Sequence, residues 1–216
     1  MSLRNTLDDL EPHFSKGGKY ESFYALYEAI DTILYTPGKV TAGASHVRDA
    51  VDMKRVMTTV WWCAFFPMLA GMYHVGLQAN LAMDNMGIEG VAGWRGWIIE
   101  LLAGYDADNW WHCLIYGASF YVPIYMVTFI VGGFWEVLFA VKRGHEINEG
   151  FFVTSILFSL ILPATIPLWQ VAIGISFGVV IGKEIFGGVG KNFLNPALTG
   201  RAFIFFAYPA ELSGDS

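Results

Sequence analysis

The chain has 216 residues, of which 55% are hydrophobic and 16% aromatic, whereas only 15% are charged. This apolar share exceeds that of ordinary soluble domains and predicts an all-α polytopic membrane protein. The net charge of −6 is spread along the chain without a basic stripe, which excludes nucleic acid as an expected partner. Cys63 and Cys113 lie in apolar segments without metal-ligand spacing, so no metal cluster is predicted.

Residues 1–55 form a polar arm in front of the first apolar run. Within it, residues 20–35 place Phe23, Leu26 and Ile30 at helical spacing, while Glu28 and Asp31 fall on another face. This pattern predicts an amphipathic helix. A second polar helix is expected to start at Ser45. We expect the arm to pack on the membrane surface or on a partner.

Residues 56–216, from Val56 to Ser216, are predicted to form the transmembrane domain. The apolar segments lie at about 56–77, 111–141, 151–162, 168–182 and 195–208. The third covers only ~18 Å at 1.5 Å per residue, which is too short for a ~30 Å hydrocarbon core. Pro163 and Pro167 interrupt the chain directly after it. Consecutive short segments predict discontinuous or half helices of the kind found in transporter-like folds.

Positive charges set the expected orientation of the chain. They precede the first span and follow the second and fourth: Lys39, Arg48, Lys54, Arg55, Lys142, Arg143, Lys183 and Lys191. The loop after the first span contains Arg95 among several acidic residues, including Asp84 and Glu100. By the positive-inside rule, the N-terminus is predicted to be cytoplasmic and the acidic loop to lie outside.

The stretch GKEIFGGVGKNFLNPALTGRAFIFFAY, residues 182–208, separates two apolar runs by a polar, glycine-rich segment. Asn195-Pro196 predicts a new helix, because asparagine is a favoured N-cap and proline fits the first helical position. At membrane depth, this restart would point its unpaired N–H groups into a protein-lined cavity. The alternative is a solvated loop between two ordinary spans.

Glu136 is an ionisable residue inside an apolar run, with Gly132 and Gly133 on the same helix face. A carboxylate beside this side-chain-free patch would leave room for a flat, hydrogen-bonding head group, and intramembrane charges are functional candidates. Two interpretations that involve no ligand remain open. Glu136 would extend to the membrane edge, or the glycines would admit a neighbouring helix.

Asn192, Asn195 and Thr154 are the second set of candidates. Amide groups in a cavity can hydrogen-bond the heterocycle of a flavin, and a helix N-terminus would stabilise the negative charge of its reduced ring. Alternatively, Asn195 only caps its helix, and Thr154 only bonds back to a helical carbonyl. The glycines at 187–190 do not have the spacing of a dinucleotide fingerprint.

Several segments together resemble NqrB, the B subunit of the bacterial Na⁺-translocating NADH:quinone oxidoreductase. They are GGKY (17–20), LYTPGKVT (34–41), HVRDAVDMKR (46–55), GMYHVG (71–76), RGHEINEG (143–150) and the stretch 182–210. The D subunit of the Rnf electron-transport complex is similar around Asn195-Pro196. The long N-terminal arm favours the Nqr protein over it.

The resemblance implies one member of a six-subunit, redox-driven sodium pump in the bacterial inner membrane. Electrons from NADH would pass through flavins to a quinone, expected to be ubiquinone. It implies that Gly132, Gly133 and Glu136 belong to a quinone and inhibitor region, with Glu136 also a candidate for Na⁺ uptake. It also implies that Thr154, Asn192 and Asn195 belong to a non-covalent riboflavin site.

This chain departs from the family in one respect. Members of the family have two related halves, and their covalent FMN is attached to a threonine in a Ser-Gly-Ala-Thr motif. That motif lies beyond the position of Ser216 in the family, and this sequence contains no such tetrapeptide. The chain is therefore expected to correspond to the first half, one repeat of the two-repeat fold. Two other hypotheses remain: a non-redox solute channel or transporter, and a structural piece that docks partner subunits.

Overall fold

The computed structural model describes residues 3–35, 53–144, 147 and 149–212, and this part of the chain is built from helices. They are α1 (Leu3–Phe14), α2 (Tyr24–Leu34), α3 (Met53–Met86), α4 (Trp94–Leu102), α5 (Trp110–Arg143), α6 (Gly150–Leu160), α7 (Leu168–Val180), α8 (Pro196–Ala207) and α9 (Pro209–Leu212). Three segments are long and apolar enough to cross a membrane: Met53–Met86, Trp110–Arg143 and Leu168–Phe186. The predicted all-α polytopic membrane protein with additional short apolar helices is confirmed.

The two longest helices, α3 and α5, pack against each other through glycines. A Cβ atom on Gly117 would lie 1.9 Å from the Met72 carbonyl oxygen, and one on Gly76 would lie 1.8 Å from that of Cys113. Only glycine permits this approach of the two backbones. Nearer the other end of the pair, the Trp61 indole donates a hydrogen bond to the Tyr125 hydroxyl at 3.0 Å. Shorter helices, among them α4, α6 and α7, pack against this pair.

The region after the first predicted span is more helical than the sequence analysis suggests. Helix α3 continues to Met86, so Asp84 lies inside it. Glu100 lies inside α4, and this helix is missing from our sequence analysis. Its two tryptophans and Arg95 do not give a long apolar run, and Gly93 and Gly104 bound the segment closely. Treating the whole stretch as an acidic loop was therefore wrong.

Helices α6, α7 and α8 form the interrupted part of the fold. Helix α6 ends at Leu160, and α7 begins at Leu168 directly after Pro167, as the two prolines predict. Helices α7 and α8 lie so close together that a Cβ atom on Gly200 would be 2.6 Å from the Gly174 carbonyl oxygen. Phe158, which is fully buried, reaches the same crossing from α6. These contacts hold the start of α8 against the membrane domain.

The last described helix, α9, ends at Leu212. The predicted end of the transmembrane domain at Ser216 therefore lies outside the described residues. Within the described part of the chain, the last apolar helix is α8, which ends at Ala207. This is one residue before the predicted end of the fifth apolar segment at position 208.

The N-terminal arm packs on the ends of α3 and α5. Glu28 of α2 is buried and forms an ion pair with Lys54, which also lies 3.5 Å from Glu149. The Thr32 hydroxyl donates to Glu149 at 2.9 Å. The sequence pattern places Glu28 on the polar face of an amphipathic helix, but this face is turned inward and paired. The second polar helix predicted at Ser45 lies outside the described residues.

Candidate functional site

Four charged side chains form a cluster where the ends of α5 and α7 meet. Glu136 and Arg143 belong to the last turns of α5, whereas Lys183 and Glu184 follow α7. Lys183 forms an ion pair with Glu136, and its Nζ atom also lies 3.2 Å from Glu184 Oε1. Arg143 Nη1 lies 2.9 Å from Glu184 Oε2, and Nη2 donates to the Glu184 carbonyl oxygen at 2.7 Å.

Most of this cluster is buried inside the protein. The exposed fraction is 5% for Glu136, 3% for Lys183 and 1% for Glu184. Such charges are stable in an apolar domain only when they are paired and hydrogen-bonded. Among the described residues, the cluster contains two carboxylates and two cations, so the charges of these four side chains balance. The Glu136 side chain therefore ends in a buried ion pair and does not reach solvent in this structure.

Phe151 occupies the space beside Gly132. A Cβ atom on Gly132 would lie 2.6 Å from the Phe151 ring and 3.0 Å from Ile175 Cγ1. Gly133 has more space, since the nearest Phe151 ring atom would lie 3.6 Å from an added Cβ. The glycine face next to Glu136 is thus filled by the first turn of α6 in this structure. A head group that binds over Gly132 would have to displace the Phe151 ring.

Asn195 caps α8, as the sequence predicts. Its side-chain oxygen accepts a hydrogen bond from the Leu198 N–H at 3.2 Å, and Pro196 occupies the first helical position. Asn195 is exposed, whereas Asn192 is half-buried and donates from Nδ2 to the Leu194 carbonyl oxygen at 2.7 Å. Both amides therefore lie at the N-terminal end of α8.

The glycines of the preceding loop explain how the chain reaches this position. Gly187, Gly188 and Gly190 have φ angles of 109°, 93° and 85°. Side chains with a Cβ atom rarely adopt this conformation, so the loop depends on glycine to turn from Glu184 to Asn195. The same short segment thus joins the buried charges to the start of α8.

Thr154 lies on the neighbouring helix. Its hydroxyl donates to the Gly150 carbonyl oxygen at 3.0 Å, which is the local bond that the sequence analysis left open. Phe158, one turn beyond Thr154, packs against Gly200, which lies in the second turn of α8 after Asn195. This contact connects the two helices that carry the predicted flavin residues. Gly132, Gly133 and Glu136 lie on α5, beside Phe151 of α6 and Lys183.

An open apolar groove begins one helical turn after Asn195. It is lined by Phe177, Thr199, Ala202, Phe203, Phe206 and Ala207. The rings of Phe177 and Phe203 stack with their centroids 4.3 Å apart, and Thr199 donates a hydrogen bond to the Asn195 carbonyl oxygen at 2.8 Å. Asn195 lies one helical turn before this groove and does not line it, and neither Asn192 nor Thr154 lines it.

The sequence analysis missed Lys183 as a partner of Glu136, because 47 positions separate the two residues. It counted Lys183 only as a positive charge in a loop. The signal that was available is the adjacent Lys183-Glu184 pair directly after an apolar helix. A charge pair at that position indicates either the end of a span or a buried ion pair, and the structure shows the second.

These helices and the buried charges define an integral membrane protein with interrupted helices and a neutral ion-pair cluster at one end of two of its candidate spans. A model of the NQR2, RnfD, RnfE family matches residues 40–215, and the chain belongs to this family. The resemblance stated from the sequence motifs is thereby confirmed.

The relatives with known names agree with this assignment. The chain is 67% identical, over its whole length, to the B subunit of the Na(+)-translocating NADH-quinone reductase of Chromohalobacter salexigens. It is 62% identical to the proteins of the same name from Pseudomonas paraeruginosa and Pseudomonas aeruginosa strain PAO1. The matches cover 53% of the first relative and 54% of the other two, so the chain spans about half the length of the relatives it matches.

Proposed function

We propose that this chain is part of the membrane subunit of a Na⁺-translocating NADH:quinone oxidoreductase in the bacterial inner membrane. This subunit passes electrons through bound flavin to ubiquinone, coupled to the export of Na⁺. The observation that carries the proposal is the similarity of 62–67% identity along the whole chain to relatives with that name. The partners in this proposal are the five other subunits of the complex, the quinone and the lipid bilayer.

The proposed riboflavin site contains Thr154, Asn192 and Asn195. Support comes from the exposed Asn195 amide at the N-terminus of α8 and from the aromatic groove of Phe177 and Phe203, which begins one helical turn further along, at Thr199. The amide would hydrogen-bond the polar edge of the flavin ring, and the aromatic groove would hold the apolar edge of the flavin ring. When bound, the flavin supplies the capacity to accept and release electrons.

Covalent FMN is not assigned to any residue of this chain. The Ser-Gly-Ala-Thr motif that carries it in the family has no counterpart among the 216 residues. The flavin proposed for the site of Thr154, Asn192 and Asn195 is the non-covalent riboflavin.

The proposed quinone region contains Gly132, Gly133 and Glu136. The Phe151 ring would have to move for a head group to bind over Gly132, because the ring covers this glycine and leaves more room over Gly133. Glu136 is also the proposed residue for Na⁺ uptake. If Na⁺ approached this carboxylate, Lys183 would still have Glu184 within 3.2 Å, so no buried cation would lose every counter-charge.

The proposed topology places residues 1–55 on the cytoplasmic side and residues 56–216 in the membrane domain. The cytoplasmic end contains the cluster around Lys183 together with exposed Lys142 at the end of α5. Helix α4 lies at the opposite end of α5, and this proposal places it on the outer side.

The experiment that tests this function measures riboflavin in the purified complex. Asn195→Ser removes the amide but keeps a side-chain oxygen that can cap α8. The control is Asn109→Ser, which makes the same change at the N-cap of α5, where the side chain accepts from Trp111 N–H at 3.0 Å. Riboflavin is extracted after denaturation and quantified by fluorescence for each mole of complex.

We expect Asn195→Ser to contain substantially less extractable riboflavin than the wild type, whereas Asn109→Ser contains the same amount. Equal riboflavin in both variants would remove Asn195 from the site. A wild-type complex without any extractable flavin would contradict the proposed electron-transfer function itself.

A further inference from the structure

Helix α4 lies along the first three turns of α5 and runs in the opposite direction. At one end, the Trp111 indole donates to the Leu102 carbonyl oxygen at 3.2 Å. In the middle, Ile99 is fully buried in a cluster with Tyr116. At the other end, the Arg95 guanidinium lies 4.6 Å from the centroid of the Phe120 ring. These contacts fix α4 as a short helix against the side of a candidate span.

The outward face of α4 is apolar apart from exposed Glu100, which lies about 60° from Trp97 on the side away from Arg95. Trp94, Trp97 and Leu101 lie within about 60° of each other at 100° per residue. Their exposed fractions are 52%, 64% and 64%. On α5, the apolar side chains beyond the inner end of α4, such as Val122 and Ile130, are also exposed. An apolar, exposed surface on a candidate span suits lipid acyl chains, and the outward face of α4 continues this surface.

Arg95 is the single positive charge among the described residues 87–109. It is half-buried and lies over both the Trp94 ring, at 4.9 Å, and the Phe120 ring. Its Nε atom is buried without a hydrogen-bond partner, and the described part of the chain offers it no ion pair. Burial lowers the pKa of the guanidinium, which nevertheless remains charged because this group loses its proton only far above neutral pH. A guanidinium with an unpaired N–H can form a strong, charge-assisted hydrogen bond with an anion.

We propose that α4 and Arg95 form a binding site for an anionic phospholipid. The lipid phosphate contacts the Arg95 guanidinium, and an acyl chain lies along Trp94 and Leu102, which are exposed and lie about 100° and 20° from Arg95 around the helix. An arginine fork suits phosphate oxygens, and tryptophan is enriched at the level of lipid head groups. The occupant is a lipid rather than a free anion, because the charge lies at the edge of an exposed apolar face. This inference does not depend on the proposed redox function.

The first test measures lipid binding to the purified complex by native mass spectrometry. Phosphatidylglycerol is titrated into delipidated wild type, Arg95→Gln and Arg201→Gln, the last being a control at an exposed arginine of α8. Loss of a charge-assisted contact is expected to weaken one binding step by about tenfold or more in Arg95→Gln only. Unchanged binding in Arg95→Gln overturns the proposal. Competition by inorganic phosphate at the same step would identify a general anion site and overturn the lipid assignment.

A second measurement covers the case in which Arg95→Gln does not assemble. A nitroxide label at position 97 is compared with one at position 89, which lies in the exposed segment before α4. The complex is reconstituted in phosphatidylglycerol vesicles. We expect position 97 to collide more with oxygen than with a water-soluble nickel chelate, and position 89 to show the reverse. Preference for the nickel chelate at position 97 would show that α4 faces water, which contradicts a lipid site.

Discussion

Lys183 supports two buried carboxylates at once, so its removal gives a sharp test of the charge cluster. Lys183→Met keeps an unbranched apolar chain of similar length but removes the cation that contacts Glu136 and Glu184. Removing one partner of a buried ion pair costs about 3–5 kcal/mol, because a charge is left in an apolar environment. Glu184 keeps its contact with Arg143 at 2.9 Å, whereas Glu136 loses its ion pair with Lys183, so most of this cost is expected at Glu136.

The assay is thermal unfolding of the purified protein in detergent at a fixed scan rate. For a domain of this size, each kcal/mol corresponds to about 2–4 °C in Tm, so Lys183→Met is expected to lower Tm by roughly 6–20 °C. The double variant Glu136→Gln/Lys183→Met removes both charges of the pair and is expected to recover more than half of this loss. Lys142→Met, at an exposed position, is the control and should stay close to the wild type.

The reasoning is refuted if Lys183→Met unfolds within about 2 °C of the control, a shift that corresponds to less than 1 kcal/mol. It is equally refuted if the double variant is less stable than Lys183→Met alone. In that case the two side chains would stabilise the protein independently, and the buried pair would not be the reason for their position.

Two further predictions concern packing and pH. Gly117→Ala places a Cβ atom 1.9 Å from a backbone oxygen of α3 and is expected to destabilise the protein by about 1–3 kcal/mol. Gly71→Ala, whose Cβ would have no atom within 4 Å, should be neutral or slightly stabilising. Thermal unfolding of the two variants measures this difference in stability. In the arm, burial raises the pKa of the Tyr27 hydroxyl, and Asp31 and Glu11 raise it further. Because the folded pKa exceeds the unfolded one, this stabilisation is complete below the unfolded value near 10 and is lost as the pH rises through the folded pKa. Hydrogen-exchange protection in α1 and α2, measured relative to the base-catalysed intrinsic rate, should therefore fall at alkaline pH in the wild type. It should fall less with pH in Tyr27→Phe, which also lacks the 2.9 Å bond to the Leu7 carbonyl oxygen.

The sequence predicted the parts of this fold that depend on local chemistry. Pro163 and Pro167 end one helix and start the next, because proline removes a backbone donor and restricts the preceding residue. Asn195-Pro196 begins α8 for equally local reasons. The apolar runs indicated the spans, since backbone groups in lipid must bond within a helix.

The sequence could not show which neighbouring helix each side chain contacts. Glu136 has the same local sequence whether it extends to the membrane edge or pairs with Lys183, and only the adjacent ends of α5 and α7 decide between these. The space over Gly132 depends likewise on Phe151, which belongs to another helix. Helix α4 escaped prediction because its nine residues are short and its apolar face includes only a few of them.

The most direct test of the proposed function is NADH-driven Na⁺ uptake into proteoliposomes that contain the purified complex and ubiquinone. The account predicts that the wild type accumulates ²²Na⁺, that Glu136→Gln lowers this uptake, and that Glu89→Gln, a change at an exposed residue after α3, leaves it intact. Uptake by Glu136→Gln equal to that of the wild type would contradict the role of Glu136 in Na⁺ transport. Oxidation of NADH without any Na⁺ uptake by the wild type would contradict the sodium pump itself.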